Sequence, residues 1–259
     1  MSDTVIYKRW WGMFRGMKMP VVTAVCFLFL ISSCSGEGEY GTKISTEEQE
    51  SEYSSVYAQV IEFSGFSNKE YQSELNMQIS EGIEKSVNEF DDVARESSSL
   101  LPPGVKSIMK ITQNVKRNSG GIISFIEEGY IYLGGAHGNT MWTPRTIDLR
   151  MENPHILELN ELFTDERYIG KINNLIDELI KENPEKYSEL WAEPHITEDF
   201  KTQFYLNDEE LVIFFPPYEL SYYAKGFVEF PIRFNDLTGW IKEEYLKEEK
   251  VPYAYGECS

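Results

Sequence analysis

From Asn68 to Ala94 the chain carries one sustained apolar stripe. Tyr71, Leu75, Ile79, Ile83, Val87, Phe90 and Ala94 follow one another at steps of four and three residues. Only an α-helix puts residues at that spacing on one face. The positions between them are mostly Glu, Gln, Ser, Asn and Lys, so the opposite face is solvated. A long helix with a single buried stripe needs a flat apolar partner, and a β-sheet supplies one. Asn68 is suited to cap the start of this helix, and Pro102-Pro103 closes the stretch that follows it.

The flanking segments read as strands. Val56, Ala58 and Val60 alternate with Tyr57, Gln59, Ile61 and Phe63 up to Gly65. Lys106–Lys116 alternates in the same way. Ile122–Leu133 is β-rich, with a break expected at Glu127-Glu128-Gly129, and Thr140–Arg150 follows a glycine-rich turn. In the second half, Thr164 or Asp165 is placed to cap a helix whose buried face is Tyr168, Ile169, Ile172, Leu175, Ile176, Leu179 and Ile180; Asn183-Pro184 ends it. Phe204–Leu206 and Leu211–Phe215, joined by Asn207-Asp208-Glu209-Glu210, read as a hairpin. Gly226–Phe234 adds a strand and Asn235–Trp240 a short helix. The expected fold is α+β, with two helix-on-antiparallel-sheet subdomains at 56–138 and 139–241 and no close internal repeat.

The N-terminus points to export. Lys8, Arg9, Arg15 and Lys18 precede an apolar run of 12 residues, Pro20 to Ile31, and then Ser32-Ser33-Cys34. A membrane-spanning helix needs about 20 apolar residues, so the run fits a signal peptide instead. Small residues leading into a cysteine resemble a bacterial lipobox. On that reading residues 1–33 are removed and Cys34 carries the lipid, with Met13, Met17 or Met19 as alternative starts. Residues 34–55, rich in Ser, Gly, Glu and Thr, are expected to be a flexible tether, and 242–259 a charged tail. Cys26 leaves with the leader, so Cys258 is the one thiol left and no intramolecular disulfide is expected. The protein is placed in the cell envelope, lipid-anchored outside the cytoplasm on the cytoplasmic or outer membrane.

Charge narrows the partners. The chain has 24 Lys and Arg against 43 Asp and Glu; the first 33 residues hold four of the basic residues and one acid, leaving 20 and 42, a net charge of −22. Such a surface repels nucleic acid and favours a cationic soluble partner, or serves only to keep the protein in solution.

Two segments are candidates for function. In Gly134-Gly135-Ala136-His137-Gly138, the glycines permit positive φ and close backbone approach. His137 there either locks the loop by a hydrogen bond or acts as a ligand or base. The run Tyr218, Tyr222, Tyr223 and Phe227, behind Pro216-Pro217, is either a recognition surface or a core under a rigid loop. His155 and His195 stand in His-x-x-Glu spacing with Glu158 and Glu198, a weak metal signal. The acidic pairs Asp91-Asp92 and Glu209-Glu210 read as a solvated helix face and a hairpin turn. There is no G-x-S-x-G elbow, P-loop, H-E-x-x-H or G-x-G-x-x-G, so no catalytic residue, metal ligand or cofactor is assigned.

Three segments in order carry a family resemblance. They are Gly134 to Gly138 after Tyr130-Ile131-Tyr132-Leu133, then Leu157-Glu158-Leu159-Asn160-Glu161-Leu162-Phe163, then Phe214 to Gly226. From Val56 to Ile241 the chain resembles the paired domains of unknown function in the extracytoplasmic region of anti-sigma factors of the RsiV type. It is similar also to the N-terminal region of PdaC-type deacetylases and to many bacterial lipoproteins. The resemblance implies a binding module, since RsiV binds lysozyme with this region, while PdaC keeps its chemistry in a separate catalytic domain. With only a short stretch ahead of the apolar core, neither a sigma-binding segment nor a deacetylase domain is expected.

The resulting expectation is an envelope lipoprotein that binds lysozyme or another cationic envelope or host protein, with Gly135, His137, Tyr218, Tyr222 and Tyr223 at the binding site. The alternative is an enzyme acting on cell-wall glycan or peptide, metal-assisted around His137. A structural envelope protein with no small ligand is a third class.

Overall fold

The computed structural model describes residues 38–246. The expectations for the leader, Cys34 and Cys258 lie outside the described residues. Strands β1 (Gly41–Glu50), β2 (Ser54–Ser64), β3 (Ser107–Ser119), β4 (Ile122–Tyr132) and β5 (Asn139–Asp148) form one sheet in that order. All neighbours are antiparallel except β2 and β3, which run parallel. Helix α1 (Lys69–Ser97) makes the crossover that a parallel pair requires. The Asn68 side chain caps it, its Oδ1 accepting from the Tyr71 amide at 3.0 Å. Leu75, Ile79, Ile83, Val87, Phe90 and Ala94 are buried, and all but Ala94 join one core with Phe63, Met109, Ile123 and Phe125 of the sheet. Each of the larger side chains contributes about 1.5–3 kcal/mol by leaving water. Tyr71 is half-buried at the edge of the stripe, and burial, then the charge of Glu74, pushes its hydroxyl up to about 12.

The second half builds a smaller sheet. Helix α2 (Tyr168–Glu182) precedes β6 (Phe204–Leu206), β7 (Glu210–Phe215) and β8 (Val228–Arg233), paired antiparallel in that order. Residues 211–215 of β7 are all buried, and period two divides them. Leu211, Ile213 and Phe215 join Ile172 and Ile176 of α2 in one core. Val212 and Phe214 meet Ile126 of β4 in another, against which Trp142 of β5 packs. The smaller sheet is therefore covered by α2 on one face and by the five-stranded sheet on the other. Buried Ser124 of β4 joins the two sheets: it bonds Thr146 Oγ1 at 2.8 Å and accepts from the Leu206 amide at 3.0 Å.

The α+β architecture is as expected from the sequence, with the parallel pair added. Several local expectations are corrected. The tether at 34–55 is structured from residue 38 onward: β1 pairs with β2 along its whole length, and Tyr40 packs edge-on against Phe66 at 5.2 Å. The boundary drawn between 138 and 139 does not separate the two sheets, because β5 hydrogen-bonds to β4 from Asn139 to Asp148. The break at Glu127-Glu128-Gly129 is absent; the ladder runs through it, and the irregularity lies between Val115 and Arg117 of β3. The start of the charged tail forms a helical turn, α3 (Glu243–Leu246), in which Tyr245 is 1% exposed. Neither Thr164 nor Asp165 is the N-cap of α2; that position is Arg167. Asp165 instead takes the Arg167 amide and guanidinium, and those hydrogen bonds hold its carboxyl down at about 2.

Candidate functional site

The β4–β5 connection holds the glycine-histidine motif. Gly134 and Gly135 have φ of +100° and +102°, which side chains rarely adopt. Gly138 is needed for a different reason: a Cβ there would lie 2.4 Å from the Tyr130 ring. These two constraints leave His137 projecting from a fixed turn. Its Nδ1 is 2.8 Å from the Gly138 carbonyl, which can only accept, so Nδ1 donates. The neutral ring then accepts at Nε2 from the Tyr218 hydroxyl, 3.0 Å away. The face of His137 stacks on Tyr223, with centroids 3.9 Å apart and planes at 12°.

Tyr218 and Tyr223 come from the β7–β8 connection. Tyr218 has φ of +71°, strained for a bulky residue, and its amide donates to the Ser221 carbonyl at 3.1 Å. The turn so formed leaves Tyr218 55% exposed beside His137. Tyr222 faces elsewhere: its hydroxyl donates to Glu189, which Lys225 also approaches at 3.4 Å. The Tyr222 bond, then Lys225, holds the Glu189 carboxyl below the usual carboxylate range, and the same bond raises the Tyr222 hydroxyl. Trp191, 58% exposed, is tied to the same loop, its amide donating to the Leu220 carbonyl and its indole N–H to the Glu219 carbonyl.

Beside this cluster lies an open cleft of ≈ 280 Å³ between Glu128, Thr140 and Trp142 of the large sheet and Pro217, Tyr223 and Phe227 of the loop. Trp142 stacks on Phe227 at 3.9 Å and donates its indole N–H to Glu128 at 3.2 Å. The cleft is thus a rigid aromatic wall with a carboxylate on its rim.

Of the residues chosen from sequence, His137, Tyr218 and Tyr223 meet directly although 81 or more positions separate the histidine from the tyrosines. Tyr222 lies on the same loop but bonds Glu189, and Gly135 shapes the turn. Sequence reasoning missed Trp142, Glu128, Glu189 and Trp191. A tryptophan within an expected strand was the one available signal for Trp142. The His-x-x-Glu pairs do not form. His155 bonds Glu161 at 2.8 Å and His195 bonds Asp177 at 3.1 Å, while Glu158 takes Lys201. Among the described residues no group of three His, Cys, Asp or Glu is placed to hold a metal ion. Asp91, read as part of a solvated face, is a clamp: it accepts from Ser51 and, at 2.7 Å, from Ser54, at the β1–β2 turn. Burial pushes its carboxyl up, and these bonds with Arg95 outweigh it and bring it below the usual range.

The chain is similar to known proteins in its domains and fold. Residues 47–140 match the family described as Deacetylase PdaC, and residues 160–235 match the protein of unknown function DUF3298. The chain pairs a PdaC-type domain with a DUF3298 domain. The two strands that form the aromatic cleft floor, β4 and β5, straddle the end of the first match, and the tyrosine loop lies within the second. The anti-sigma-V factor RsiV of Bacillus subtilis (strain 168) is 29% identical over 214 residues, 77% of this chain and 70% of RsiV. A DUF3298 family structure from Bacteroides fragilis NCTC 9343 superimposes with a TM-score of 0.60 at 16% identity, covering 80% of this chain and 95% of that one. Another, from Pseudomonas aeruginosa PAO1, gives 0.54 at 15% identity, covering 82% and 97%. These two likenesses establish the shared α+β fold.

Proposed function

We propose that this chain is an extracytoplasmic binding module, held to a membrane by lipid on Cys34, that captures a cationic protein on the His137–Tyr223 surface. Lysozyme is the first candidate partner. The reading is carried by one observation: two loops distant in sequence lock together into a preorganised, exposed aromatic surface on a chain of net charge −22 after residue 33. Rigid tyrosine and tryptophan side chains give contact area at low entropic cost. The acidic field draws a basic partner in, and the aromatics set its residence time. The similarity to RsiV supports an extracytoplasmic setting for such a module.

The test is surface plasmon resonance of the purified protein against lysozyme at two salt concentrations. Added salt should mainly lower the on-rate, as the screening length falls to about 3 Å at 1 M. Tyr218→Ala should mainly raise the off-rate, by about tenfold for a central contact. No binding at micromolar lysozyme in low salt removes lysozyme from the reading. Equal binding by any basic protein of similar charge reduces the effect to unspecific attraction. Labelled palmitate entering a Cys34→Ala variant would refute the anchor.

A further inference from the structure

Both ends of the described chain leave the fold at one pole of the large sheet, and the aromatic surface lies towards the other. Register fixes this. Gly41 of β1 pairs with Ser64 of β2, and Ile122 of β4 pairs with Ser119 of β3 and Asp148 of β5, so these ends share a pole with the Gly120-Gly121 turn. Ahead of β1, the Glu39 amide donates to the Asn118 carbonyl, and the Glu39 carboxylate accepts from the Gly121 amide at 2.8 Å. At the other end, Arg150 donates to the Glu244 carbonyl at 2.7 Å, which brings α3 to the same pole. At the opposite pole Ser54 pairs with Ser107, Ile108 with Tyr132, and Ile131 with Asn139. The His137 turn is the connection there. The 13 residues of β3 separate the poles, about 40 Å at 3.3 Å per residue.

We propose that on the anchored protein the Gly120-Gly121 pole faces the bilayer and the His137–Tyr223 surface points away from it, open to a soluble protein partner. This rests on the proposed lipid at Cys34. Four residue steps join Cys34 to Gly38, and a fully extended chain covers about 14 Å in that distance. The anchor therefore cannot reach past the near pole, however the intervening residues run. Two independent features agree. Most exposed large apolar residues lie away from the anchor: Leu100, Val105, Ile108 and Met141 are at the far pole or on the far half of β5, and Trp191, Tyr218 and Tyr222 belong to the loop cluster that meets His137, while Met77 of α1 and Ile156, bridged to Ile147, are the two on the near half. A strongly acidic chain is also repelled by anionic lipid and gains by standing off the surface. The kind of partner that fits is a soluble, cationic protein approaching from solution, and not a lipid or a neighbour lying in the membrane plane.

The experiment uses the full chain produced in bacteria, purified with its lipid and reconstituted in vesicles that carry an energy-transfer acceptor on the headgroups. In a Cys258→Ser background, single cysteines are placed at Ser67, before α1 at the near pole, and at Val105, before β3 at the far pole, and labelled with a donor dye. A larger loss of donor emission at 67 than at 105 is expected. Equal loss, or greater loss at 105, overturns the orientation and leaves the anchor standing; greater loss at 105 would mean that the apolar pole lies on the lipid. Protein that does not enter vesicles, with Cys34→Ala behaving the same, overturns the anchor and this inference with it. Neither outcome depends on whether lysozyme is the partner.

Discussion

Gly135 and His137 sit in one turn for different reasons, and their substitutions should differ accordingly. At φ of +102° nothing lies within 4 Å of a Cβ at position 135, so the cost of Gly135→Val is backbone strain, about 1–3 kcal/mol. His137→Ala removes one stacked pair and two side-chain hydrogen bonds, to Tyr218 and to the Gly138 carbonyl, but at an exposed site where water replaces them, so the cost is about 0.5–1.5 kcal/mol. Thermal unfolding should therefore show the larger loss for Gly135→Val; the reverse would make His137 the centre of a buried polar network. A second residue prediction concerns pH. The Glu161 hydrogen bond, then the Asn153 carbonyl, raises the His155 pKa. A raised folded pKa means that this contribution to stability is fully present below the unfolded value of about 6.5 and is lost as pH rises through the folded value. NMR should place the His155 midpoint above that of an unfolded peptide, and Glu161→Gln should lower it. An unmoved midpoint in the variant would deny the pairing.

At the scale of elements, asparagine side chains do what strand backbones do elsewhere. Asn76 of α1 accepts from the Phe63 amide at 2.9 Å and donates to the Phe63 carbonyl at 2.8 Å, tying the helix to the end of β2. Asn118 makes the same pair of bonds with Tyr40, and Asn173 with Ile196. Asn76→Ala strands two peptide groups beside a buried phenylalanine and should cost about 1–3 kcal/mol in denaturant unfolding. Asn76→Asp should be no better, because a carboxylate cannot donate to the Phe63 carbonyl; full stability in the aspartate variant would count against the clamp. None of this was legible beforehand, since Asn76 occupies a polar position beside the stripe like many others. The same holds for β1. Its sequence has one aliphatic residue, Ile44, and its pairing with β2 rests on backbone bonds that no side-chain pattern announces. Polar composition suits an edge strand, because it discourages pairing with other chains.

For the molecule as a whole, the buried contacts between the two sheets predict one cooperative transition. Val212 and Phe214 share a core with Ile126, and Ser124 supplies the bond to the Leu206 amide. Calorimetry should give equal calorimetric and van't Hoff enthalpies. Two resolved transitions would mean that the PdaC-type and DUF3298 domains fold independently. The sequence by itself determined the two amphipathic helices, most strands, the α+β class and the acidic surface, because period and charge are written in neighbouring residues. It also singled out the glycine-histidine turn and the tyrosine run as separate candidates. Only the tertiary structure decided that His137 stacks on Tyr223, that β5 belongs to the first sheet, that Trp142 and Glu128 border the same cleft, and that this surface stands at the far pole from Gly38. Those facts depend on strand register and on loops meeting across 81 positions, and no local pattern encodes either.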